Sequence, residues 1–123
     1  MSVNEITASR QEFALALTAA GIDVVNFVPE RIIPPVVVIS SGANYITPET
    51  LGHEYVLNLE LTCIAAQAVN EQSTEALDAL LEAVIKALPI YAAFEAVNKP
   101  FILSANQGEY LAATINVSLS ITI

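Results

Sequence analysis

The stretch Glu54-Tyr55-Val56-Leu57-Asn58-Leu59-Glu60-Leu61-Thr62-Cys63-Ile64-Ala65 decides the fold. Tyr55, Leu57, Leu59, Leu61, Cys63 and Ala65 take every second position, while Glu54, Val56, Asn58, Glu60 and Thr62 fill the alternate ones. Successive side chains of an extended strand point to opposite faces, so this period of two predicts a strand with one buried apolar face and one wet or polar face. The end of the sequence repeats the pattern. Leu111, Ala113, Ile115, Val117, Leu119, Ile121 and Ile123 alternate with Ala112, Thr114, Asn116, Ser118, Ser120 and Thr122. Long strands of this kind need a second layer over their apolar face.

Two helices supply that layer. Over residues 4–20, Ile6, Phe13, Ala16, Leu17 and Ala20 fall on one side at helical spacing, with Asn4 as cap and Gly21 as the residue that ends the helix. Over residues 70–88, Leu77, Leu80, Leu81, Val84 and Leu88 make an apolar stripe. Asn70 or Ser73 caps this second helix, and Glu71, Glu75 and Asp78 place negative charge in its N-terminal half, where the helix dipole favours it. Pro89 stops it.

Shorter strands fill the gaps. Residues 24–28 are β-branched and aromatic, residues 36–40 are apolar on both faces, and residues 101–105 form a further strand before the turn at Asn106-Gln107-Gly108-Glu109. Ser41-Gly42-Ala43-Asn44 reads as a turn, residues 45–53 as a loop containing Pro48 and Gly52, and residues 90–97 as a helical turn or loop. The order is helix, strands, helix, strands. The expected class is α+β: one domain over residues 1–123, a mostly antiparallel sheet and two main helices packed on one face.

Composition narrows the function. Hydrophobic residues make up 54 % of the 123-residue chain and charged residues only 14 %, against about 25 % in ordinary domains. A small domain exposes much of its surface, so part of the apolar surplus must face outward, as it does at partner surfaces. The net charge is −9, and the four basic residues are Arg10, Arg31, Lys86 and Lys99. Tight nucleic-acid binding draws on many Lys and Arg side chains, so this surface would repel DNA. No apolar run reaches the roughly twenty residues of a membrane-spanning helix, and the start lacks the pattern of a secretory signal; synthesis is expected in the cytoplasm.

Catalytic and metal-binding patterns are missing from the sequence. His53 is the single histidine, and its neighbour Glu54 points to the other face of the strand. Cys63 is the single cysteine, excluding an internal disulfide and a thiolate metal cluster. Gly21, Gly42, Gly52 and Gly108 are isolated, so no glycine-rich phosphate loop exists. No enzyme activity, metal or cofactor is expected. The unusual features are apolar: the strand at Val36–Ile39 and the segment from Tyr45 to Leu51, which invite pairing with a neighbouring chain.

Several phrases, in this order, resemble the tail terminator proteins of long-tailed, siphovirus-type bacteriophages. They are the proline-punctuated Phe27-Val28-Pro29-Glu30-Arg31-Ile32-Ile33-Pro34-Pro35-Val36-Val37-Val38-Ile39, then Tyr45-Ile46-Thr47-Pro48 ahead of the long strand from Leu57 to Ala65. Asn70-Glu71 leading to the second helix, and the closing alternating strand, complete them. The resemblance implies a hexameric ring that caps the finished tail tube, stops its polymerisation and joins it to the head connector. The implied partners are the major tail tube protein, the connector and copies of the chain itself. The resemblance further implies that DNA passes through the lumen without specific binding and that the protein resides in the virion at the head-proximal end of the tail. A ring needs a heterologous interface whose rotation closes. Tyr45, Ile46 and Leu51, with Val36 and Val38, are the expected interface residues, and Glu71 and Glu75 the expected lumen-facing acids. Two alternatives remain: another head–tail joining or tube protein of related fold, and a small ligand-binding or hydrolytic domain built on His53 and a carboxylate.

Overall fold

The computed structural model describes residues 4–25, 33–48, 54–67, 71–105 and 108–122. Its elements run α1 (Glu5–Ala19), β1 (Val24–Val25), β2 (Val36–Pro48), β3 (Glu54–Gln67), α2 (Glu71–Ala87), β4 (Ala92–Val97), β5 (Phe101–Ala105) and β6 (Gly108–Thr122). The fold is α+β, with the two helices packed on a six-stranded, mostly antiparallel mixed sheet. The strand order is β1-β2-β3-β6-β4, and β5 also pairs with β6. The β1–β2 pair is parallel.

The long alternating strands lie at the centre. β3 pairs along its length with β6, from Glu54 opposite Thr122 to Gln67 opposite Tyr110. Leu57 faces Leu119, Leu59 faces Val117, and Leu61 faces Ile115, all on the side that carries the helices. Phe13 and Leu17 of α1, and Leu77 and Val84 of α2, complete this core without exposure above 1 %. Leu80, Leu81 and Leu88 lean on it half-buried.

Local chemistry ends the helices where the sequence predicts. The Asn4 side chain accepts the Thr7 N–H at 2.7 Å, satisfying one orphan donor of α1. At the other end Gly21 has φ 88°, Ile22 N–H donates to Leu17 C=O and Gly21 N–H to Thr18 C=O. This paired arrangement turns the chain and drops Ile22 into the core beside Leu17. α2 begins at Glu71, which makes Ser73 a buried residue of the helix rather than its cap.

Three expectations need correction. The segment read as a turn and loop after Ser40 continues β2 to Pro48. Ser41 pairs with Leu59 and Ile46 with Leu57, so Gly42, Ala43, Asn44 and Tyr45 all stand opposite Asn58. The extra residues are absorbed as a bulge, which lets turn-forming residues sit inside a strand. Residues 90–97 are not a helical turn or a simple loop: Ala92–Val97 is strand β4, paired with β6 and bulged at Glu95. Gly108 and Glu109, expected in a turn, already belong to β6. The strand expected over residues 24–28 is present at Val24–Val25, and 26–28 lie outside the described residues.

Candidate functional site

Both described helices lie on one face of the sheet. On the opposite face, Asn58 pairs with Ser118, Glu60 with Asn116 and Ser40 with Glu60, a run of polar side chains. Asn116 Nδ2 donates to Asn98 Oδ1 at 3.1 Å, tying β6 to the segment after β4. At one end this face turns apolar, where Ile64, Tyr110 and Ala112 are buried with Val36, Val38 and Leu103 against them.

The expected interface residues therefore fall in two settings. Val36 and Val38 are half-buried in that small second cluster. Tyr45 and Ile46 are half-buried on β2 and lean on the main core. Arg10 of α1 holds Tyr45, its Nη1 donating to the phenol oxygen at 3.2 Å and its guanidinium lying 6.0 Å from the ring centroid. Leu51 and His53 lie outside the described residues. Glu71 and Glu75 are both exposed in the first half of α2.

Among the described residues, five of the eight exposed large hydrophobic side chains lie elsewhere, along the β4–β5 end of the sheet. Ile90 is fully exposed, and Tyr91, Phe94, Phe101 and Ile102 are 46 %, 47 %, 38 % and 54 % exposed. β4 pairs with residues 115–119 of β6 and β5 with residues 108–112, while Asn98 N–H donates to Thr114 C=O between them. Residues 92–105 thus form one edge strand, kinked where Lys99 and Pro100 interrupt it. Phe94, opposite Val117, and Ile102, opposite Leu111, point to the helix side. Tyr91 lies beside Glu12 of α1, and partial burial followed by that carboxylate's charge pushes its phenol above the usual value. Sequence reasoning found the β5 part of this edge, Phe101–Ala105, and missed β4. Its one advance signal was the pair of aromatic residues Tyr91 and Phe94 between Pro89 and Pro100.

Among the described residues, reactive groups do not converge. Cys63 is fully buried, and desolvation pushes its thiol up to about 12, leaving it neutral and inert. Among the described residues, no cluster of three or more His, Cys, Asp or Glu side chains is placed to hold a metal ion. No described helix is long and apolar enough to cross a membrane.

No family model matches the chain, and no curated protein matches it. Among solved structures it is similar to the gp17 protein of bacteriophage SPP1, with a TM-score of 0.39 and 18 % identity over 95 % of this chain and 85 % of that one.

Proposed function

We propose that the chain is a virion structural protein, a ring-forming tail terminator that caps the phage tail tube, stops its polymerisation and joins it to the head connector. The observation that carries this reading is the placement of exposed apolar side chains along one edge of the sheet, Ile90 to Ile102, in a chain without a reactive cluster among its described residues. Such a surface is completed by a protein partner. The resemblance of the proline-punctuated segment and of the strand and helix phrases supplies the kind of assembly. In the ring, β2 with Val36, Val38, Tyr45 and Ile46 forms one side of each subunit contact. Glu71 and Glu75 face the lumen, where a net charge of −9 keeps DNA sliding rather than bound. The working protein needs no enzymatic chemistry: its effect on the tube is steric, because a capped tip offers no site for the next tube subunit.

The test is genetic and visual. Phage assembled without this chain are expected to leave tail tubes of unregulated length with no heads attached, and labelled protein should mark the head-proximal tip. Tubes of normal length joined to heads in its absence would overturn the reading.

A further inference from the structure

We propose that strands β4 and β5 of one subunit dock edge-on against strand β2 of a second copy, so that the sheet continues from subunit to subunit. The inference rests on the ring reading and names the second half of its contact.

Topology supplies the first argument. β1 and β2 stand at one end of the sheet, and β4 with β5 at the other. An edge strand turns one row of N–H and C=O groups outward, and the natural partner of such a row is another strand. At the far end, the described residues of β1, Val24 and Val25, pair with Val37 and Val38, whereas β2 runs on to Pro48. The two surfaces differ, so their contact is heterologous and can close a ring.

Charge selects the occupant. Two copies at −9 each repel, and contact is tolerable only where the surface is neutral. The thirteen residues of β2 include no charged side chain. Residues 92–105 carry Glu95 and Lys99, which cancel. A basic partner or an anionic lipid surface finds no matching charge on this edge, whereas the neutral edge of β2 fits it. Phe94 and Ile102 on one side and Phe101 on the other then flank the backbone pairing with apolar contact. Lys99-Pro100 and the bulge at Glu95 leave two short pairing stretches instead of one long flat edge, which opposes runaway stacking.

Cysteine cross-linking tests the geometry. Ser104 on β5 and Ala43 on β2 are both exposed, and the native Cys63 is too buried to interfere. Mild oxidation of Ser104→Cys protein mixed with Ala43→Cys protein, or with Ser41→Cys to allow for register, should give a linked dimer that neither variant forms alone. In parallel, Ile102→Glu should weaken assembly by about thirtyfold or more with its unfolding midpoint unchanged. If Ile102→Glu does not fold, the cross-link decides by itself. A wild-type oligomer without mixed cross-links places the contact elsewhere and overturns this inference, leaving the ring reading intact. A linked product from Ser104→Cys alone overturns it too, because the contact is then isologous. A wild type that stays monomeric, alone and with tail tubes, overturns the ring reading and the inference together.

Discussion

Asn58 Nδ2 of β3 donates to the backbone carbonyl of Asn44 on β2 at 2.8 Å, bridging the place where four residues of one strand face one of the other. The bulge is held by this bond and by a close approach at Gly42, where an added Cβ would come 3.3 Å from Asn58 Cβ. Asn58→Ala removes the donor and should cost about 1 kcal/mol. The loss should appear in denaturant titration, together with faster amide exchange at residues 42–46. Gly42→Ala crowds the same spot and should destabilise by a similar amount, with β2 still paired on either side of the bulge.

The two sides of α1 should respond differently. Phe13 is fully buried in the main core, and Phe13→Ala should cost about 3–5 kcal/mol through lost burial and the cavity left behind. Leu15 is 68 % exposed, and Leu15→Ala should stay within about 0.5 kcal/mol. Chemical denaturation of both variants separates a helix packed as described from one rotated about its axis.

Cys63 gives an alkaline signature. Burial raises its thiol from 9.0 to about 12 in the folded chain. Between these values the unfolded chain has released the proton and the folded chain has kept it. The stabilisation is therefore complete below pH 9 and falls away as pH rises through 12, by up to about 4 kcal/mol. Wild-type protein should lose stability more steeply than Cys63→Ala across that window, and thiol reagents should react only on unfolding. Equal slopes for the two proteins would place the thiol in contact with water.

Much of this architecture was legible in the residues, for definite reasons. β3 and β6 keep a period of two over many residues because one face packs against helices and most of the other is polar. α1 and α2 announce their ends through Asn4, Gly21 and Pro89. β4 was hidden because an edge strand that is mostly exposed has no reason to alternate: Ala93, Phe94, Glu95 and Ala96 are all exposed. The second half of β2 was hidden because Gly42 and Asn44 are turn residues locally, and only their neighbour Asn58 across the ladder gives them a place in a strand. For the same reason the apolar surplus was legible as an amount and not as a location. Composition counts Phe94, Phe101 and Ile102 as core formers, and pairing with β6 sets them at the rim.

The mass of the purified chain in solution, measured alone and after mixing with isolated tail tubes, tests most directly whether copies of the chain assemble. A discrete closed oligomer, formed in solution or seated on the tube tip and blocking further tube growth, is the expected result. A monomer at every concentration, with tubes that keep elongating in its presence, would contradict the central claim that this sheet is completed by copies of itself.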